Sequence, residues 1–212
     1  MRGILINNKV HTGNTLGLVM TAKSIGTPEV QTFETTIPGR HGKLDLSEYL
    51  TGEPVYDNRA LSFDFVGDGS RENVLSLIDE MLSYHGQYIT VTTDDYPYWY
   101  YTGRAKVTAD DKGHYVTFNI SVDAQPFRYA MNPRAYTLSN VTDYSIKLGN
   151  YGGSVIPTIT VTAETTIVKG DTTLTLTEGT YEPESMKLSR GDNSITVTTT
   201  GEITITYREA VI

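Results

Sequence analysis

Strict alternation of apolar and polar residues constrains this chain more than any other feature. In Arg59-Ala60-Leu61-Ser62-Phe63-Asp64-Phe65 and in Val116-Thr117-Phe118-Asn119-Ile120-Ser121-Val122-Asp123, apolar side chains take every second place. A period of two turns one face of each segment to a core and the other to water, which is the pattern of half-buried antiparallel strands. Asp110-Asp111-Lys112-Gly113 separates Arg104 to Ala109 from His114 to Ala124. A Gly-containing turn between two such runs predicts a hairpin.

One segment breaks the pattern. Val74, Leu75, Leu77, Ile78, Met81 and Leu82 recur at helical offsets and form an apolar stripe. Ser70 is the expected N-cap, Glu72 lies in the first turn where the helix dipole favours an anion, and Gly86 suits a left-handed terminus. A single α-helix is expected over about residues 71–85, between strands.

A change of composition near Pro126 to Tyr136 divides the chain. All five phenylalanines, the last being Phe127 at its start, and Trp99 fall before or at this boundary, whereas the strands after it are Thr-rich and aliphatic, as in Thr158-Ile159-Thr160-Val161-Thr162 and Ile203-Thr204-Ile205-Thr206-Tyr207. The expected fold is mainly β with two β-sandwich-like domains, residues 1–130 carrying the helix and residues 136–212 forming a small sandwich. Short strands are expected in the second near Ile156 to Thr162, Thr172 to Thr177, Ser185 to Leu188, Ile195 to Thr199 and Glu202 to Tyr207. A core of that size supplies no more than about 3–5 kcal/mol without disulfides or metal, so this half is expected to lean on a neighbour.

Charge and residue inventory narrow the function. Seventeen Lys and Arg against 25 Asp and Glu give a net charge of −8, and the two halves share it equally. That balance argues against tight nucleic-acid binding, whose footprint is a basic patch. Without cysteine the chain has no disulfide framework, thiol nucleophile or Cys-ligated zinc. The start, Met1-Arg2-Gly3-Ile4-Leu5-Ile6-Asn7-Asn8, has too few apolar residues for a signal-peptide core, and no run approaches the ~20 of a membrane span. Synthesis in a cytoplasm, with no membrane association, is the expectation.

Catalytic signals are thin. His11, His41, His85 and His114 are scattered, no HExxH or GxSxG occurs, and apart from Asp79-Glu80 in the helical segment adjacent carboxylates appear as Asp94-Asp95 and Asp110-Asp111, in turn-like settings where acids cap the chain. No enzyme activity, catalytic residue, metal site or cofactor is expected. Arg190-Gly191-Asp192 reads as turn chemistry before a strand, not as an integrin ligand, and Asn119-Ile120-Ser121 and Asn140-Val141-Thr142 are glycosylation acceptors only in a secreted chain.

Thr36-Ile37-Pro38-Gly39-Arg40-His41-Gly42-Lys43-Leu44-Asp45-Leu46-Ser47, then Leu50-Thr51-Gly52, then Tyr56-Asp57-Asn58-Arg59-Ala60-Leu61-Ser62-Phe63-Asp64-Phe65, resembles in order and spacing the amino-terminal domain of distal tail (Dit) proteins of long-tailed phages, the siphoviruses, of Gram-positive bacteria. Further features agree: the helix ending in Tyr84-His85-Gly86, the segment Ala124-Gln125-Pro126-Phe127-Arg128-Tyr129, the run Gly149-Asn150-Tyr151-Gly152-Gly153-Ser154-Val155-Ile156-Pro157, and the ending from Leu188 to Arg208. The resemblance implies a virion structural protein of the tail tip or baseplate. Its first domains would form a homohexameric ring between the tail tube protein and the tail-associated fibre or lysin protein, with a channel for DNA. Its second, galectin-like domain would point outward, and receptor-binding or other baseplate proteins would be further partners. The different-class alternative is a carbohydrate-binding module that recognises the host envelope.

Two groups of residues are the candidate contact sites. Pro38, Gly39, Arg40, His41, Gly42 and Lys43 read either as a plain hairpin loop or as an intersubunit or channel-facing loop; no Gly-Lys-Ser/Thr follows to make it a phosphate loop. Asp45 and Arg59 would offer an ion pair across the ring. Tyr96, Tyr98, Trp99, Tyr100 and Tyr101 form the densest aromatic cluster, which strand packing, a protein interface or a glycan platform would each explain.

Overall fold

In a computed structural model, which describes residues 2–49 and 51–212, the chain is mainly β with one α-helix and divides into two compact units, residues 1–128 and 129–212. Met1 of the opening segment and Leu50 of the Leu50-Thr51-Gly52 motif lie outside the described residues.

The first unit is built on one antiparallel sheet. Its strands are β1 (Ile4–Ile6), β2 (Val10–His11), β3 (Val19–Ile25), β6 (Arg59–Asp68), β7 (Tyr88–Thr93), β8 (Trp99–Asp111) and β9 (Tyr115–Ala124), in the order β2-β1-β7-β8-β9-β6-β3. A short separate hairpin, β4 (Glu34–Thr36) with β5 (Lys43–Asp45), comes between β3 and β6 in sequence. The alternation read from the sequence is obeyed: Leu61, Phe63 and Phe65 of β6 and Val116, Phe118, Ile120 and Val122 of β9 are all buried in one core, and Phe63 stands opposite Ile120. Asp111 pairs with Val116 at the end of the β8–β9 hairpin, where Gly113 takes φ +91°.

The helix α1 (Arg71–Leu82) packs on β6, β8 and β9. The Ser70 side chain accepts from the Asn73 N–H at 3.3 Å, as expected of its N-cap. Two expectations are corrected. The helix stops three residues early, because Tyr84 and His85 turn to i→i−3 hydrogen bonds and Nδ1 of His85 engages the backbone of Val107. Only Val74, Leu77 and Met81 of the six-residue stripe are buried; Ile78 is partly packed, and Leu75 and Leu82 face out. Gly86 does adopt a positive φ, +76°, and its N–H reaches the Ala105 carbonyl.

After β10 (Arg128–Ala130) the second unit contains β11 (Arg134–Asn150), β12 (Thr158–Val161), β13 (Thr165–Lys169), β14 (Thr172–Leu176), β15 (Gly179–Tyr181), β16 (Gly191–Tyr207) and β17 (Ala210–Val211). The long strands β11 and β16 pair from Arg134 opposite Tyr207 to Asn150 opposite Gly191, and β16 pairs on its other edge with β13 and then β12. Irregularities around Asn140 and Asp143, both at positive φ, interrupt the ladder midway. Such bulges bend a strand, and residues from both halves (Ile195, Val197, Ile203, Ile205) share one core with Leu148, Ile159 and Ile167. The strands expected at Ile195 to Thr199 and Glu202 to Tyr207 are therefore one. Ser185 to Leu188 is not a strand but a 3₁₀ turn, Glu184–Met186, followed by a single bridge from Leu188 to Val155.

Candidate functional site

Residues 29–57 form an arm that the core of its own unit does not bury. Antiparallel bonds run from its root, where Asp57 N–H donates to the Glu29 carbonyl at 2.8 Å, through Gln31 to Val55 and Leu46 to Phe33, to the β4–β5 ladder that pairs Thr36 with Lys43. Among its described residues none is buried. Val30, Phe33, Ile37, Tyr49 and Val55 are all exposed, Phe33 to 64 % and Tyr49 to 81 %. Large apolar side chains exposed along one hydrogen-bonded arm, with no core beneath them, form the kind of surface that protein contacts use.

The tip of the arm is the segment Pro38 to Gly42. Gly39 and Gly42 sit at φ +85° and +77°, a left-handed backbone that glycine adopts without steric cost, and Arg40 N–H closes a turn on the Ile37 carbonyl. Arg40 and His41 are exposed. Lys43 is not a free cation: it pairs with Glu34 at 2.7 Å, and the Glu34 carboxylate raises its pKa. Asp45 accepts from the hydroxyl and N–H of Ser47, which hold its carboxyl below the usual range.

Arg59, which the sequence groups with Asp45, lies apart from that tip. It opens β6, is only 5 % exposed, and its guanidinium lies 5.5 Å from the centre of the Tyr101 ring. Burial lowers its pKa, Tyr101 opposes that, and the charge of Arg128 adds to it.

The aromatic segment divides by depth. Tyr101 is buried in the core, Tyr98 is exposed, and Tyr96 and Trp99 clasp Arg128, whose guanidinium is 4.8 Å and 5.4 Å from their ring centres. Beside this cluster Tyr56, at the root of the arm, meets Phe127 edge-on with centroids 5.8 Å apart. Sequence reading misses Arg128 as the centre of the cluster, because nothing in the residues alone brings position 128 to positions 96 and 99. It also misses the arm as one element, since Val30 and Tyr56 pair across a span that lacks alternation.

Among the described residues no group of three or more His, Asp or Glu has the geometry to hold a metal ion. Nδ1 of His11 accepts from the Gly13 and Asn14 N–H groups, and its Nε2 lies 2.9 Å from Asp94, whose other oxygen accepts from Gly3. This pair ties β2 to the β7–β8 turn. Lys23 of β3 and Asp95 make an ion pair at the same turn.

No protein-family model matches the chain, and no curated protein matches it. Among solved structures it is similar to the crystal structure of the SPP1 Dit protein, described as a paradigm of the hub adsorption apparatus in phages that infect Gram-positive bacteria. The two share a TM-score of 0.64 and 17 % identity, over 100 % of each chain. The likeness is one of fold and extends through both units.

Proposed function

We propose that this chain is a non-enzymatic structural hub of a phage tail tip, acting as a distal tail protein. In this reading residues 1–130 assemble into a homohexameric ring between the tail tube and the tail-associated fibre or lysin protein. Residues 136–212 dock baseplate partners, and the ring leaves a channel for DNA. The observation that carries the proposal is the arm. A chain with a Dit-like fold holds five exposed large apolar residues along an arm that buries none of them, and a neighbouring copy supplies the missing cover.

Pro38, Gly39, Arg40, His41, Gly42, Lys43 and Asp45 then lie at a subunit contact or on the channel wall. The glycan-platform reading of Tyr96 and Trp99 is weaker, because both rings already face the Arg128 guanidinium. Sedimentation velocity on the full chain across a wide concentration range tests the proposal, with imaging of the assembled fraction. A closed ring of six supports it; a chain that stays monomeric, alone and with its tail partners, refutes it.

A further inference from the structure

The Arg59–Arg128 cluster is chemically incomplete. Nε of Arg59 and Nε of Arg128 are both buried without a hydrogen-bond partner, and neither guanidinium makes an ion pair among the described residues, although that of Arg59 hydrogen-bonds the Tyr101 side chain. Aromatic faces attract a cation but accept its N–H groups poorly, and a buried charge is tolerated best when paired. Two guanidiniums close enough to disfavour each other make the need for an anion greater, and the shift at Arg59 agrees in direction. Arg128 is half-buried and Tyr96, one of the two rings against it, is exposed, so the cluster opens to the surface.

We propose that this cluster is a socket for a carboxylate carried by the arm of a second copy of this chain, namely Glu48. The choice follows from what the arm's acids already do. Glu34 is paired with Lys43, Asp45 holds Ser47, Asp57 holds Gln31, Glu53 is half-buried and partnered, and Glu29 lies at the root of the arm, far along it from Tyr49 in sequence. Glu48 is exposed, its side chain has no partner among the described residues, and it sits next to Tyr49, the most exposed of the large apolar side chains. An acid followed by an aromatic matches a cation rimmed by aromatics, carboxylate to Arg128 and ring to ring. Arg59 is a positioning residue: it is the more deeply buried of the two, and its charge, near enough to be felt by Arg128, adds to the field that the carboxylate meets.

Socket and arm loop are different surfaces of one molecule, so the contact is head-to-tail, the type that closes into a ring when its rotation permits. The inference rests on the ring reading above and names the contact that would hold it.

The test measures the assembly constant of the full chain for wild type, Arg128→Met, Glu48→Gln and the double variant, with circular dichroism to verify folding. Each single change is expected to weaken assembly at least about tenfold, and the double variant to be no weaker than either, as a directly coupled pair requires. Mixing Arg128→Glu with Glu48→Arg chains is expected to recover mixed assembly that neither forms alone. Wild type that never assembles overturns the ring reading and the socket with it. Assembly unaffected by Glu48→Gln, an exposed change that leaves the fold intact, overturns the socket alone, and so do additive losses in the double variant.

Discussion

Gly103 stands opposite Ala124 in the β8–β9 ladder, so close that a Cβ on Gly103 would lie 2.5 Å from the Ala124 Cα and nearer still to the Asp123 carbonyl oxygen. Both obstacles are backbone, so no side-chain rotation relieves them. Gly103→Ala must spread the ladder and is expected to cost about 3 kcal/mol or more. Gly113→Ala meets nothing within 4 Å and bears only its positive φ, which costs about 1 kcal/mol. Urea unfolding of the two variants checks the order; equal losses would mean that the close approach is absent.

The helix offers a sharper contrast. Leu77 is 7 % exposed in the first unit's core, and Leu75, two residues away, is 44 % exposed. Leu77→Ala is expected to lose about 2–5 kcal/mol, and Leu75→Ala to stay within about 0.5 kcal/mol. Thermal unfolding of the full chain separates them.

What the sequence reveals follows from how local each signal is. Alternation in β6 and β9 is a local signal, and it places Phe63 and Ile120 in the core correctly. The capping of α1 by Ser70 is equally local. The failures need distant partners. The helix end depends on His85 reaching Val107, and the role of Leu188 depends on Val155. Periodicity equally cannot tell that Leu75 and Leu82 lie just off the buried sector of a helix with only three fully buried residues. At the candidate site the arm tip is legible through its glycines and proline, whereas the Arg128 cluster is assembled by folding alone.

Burial, reinforced by the hydrogen bond to Glu80, pushes the Tyr84 phenol up to about 12 from its ordinary 10.0. Its proton is held more tightly in the folded chain than in the unfolded one. This contribution is therefore complete below pH ~10 and is lost as the pH rises through about 12. Tyr207, raised by burial and by its Tyr136 neighbour, acts in the same direction in the second unit. Tyr84→Phe is expected to flatten the alkaline loss of the first unit's stability, read as the urea midpoint against pH. An unchanged slope would show that Tyr84 does not titrate differently in the two states.

If the arm tip lines a channel for DNA, contact with the duplex must be weak. Each chain carries −8, and the pairing of Lys43 with Glu34 leaves Arg40 as the tip's permanent cation without an ion-pair partner among the described residues. Assembled protein is expected to show no duplex binding at physiological salt, and Arg40→Glu is expected to remove any low-salt affinity. Fluorescence anisotropy with a labelled duplex reads this directly; tight, salt-resistant binding would contradict a conduit.

The central claim is that the arm exists to be covered by a neighbour. Its most direct test is the native mass of the full chain beside that of a Phe33→Ser, Tyr49→Ser variant. Both side chains are exposed in the single chain, so the variant is expected to fold with a stability change within about 0.5 kcal/mol. The account predicts six times the 23.4 kDa chain mass for wild type and a single chain mass for the variant. A wild type that remains a single chain at every concentration, or a variant that assembles as well as wild type, would contradict it.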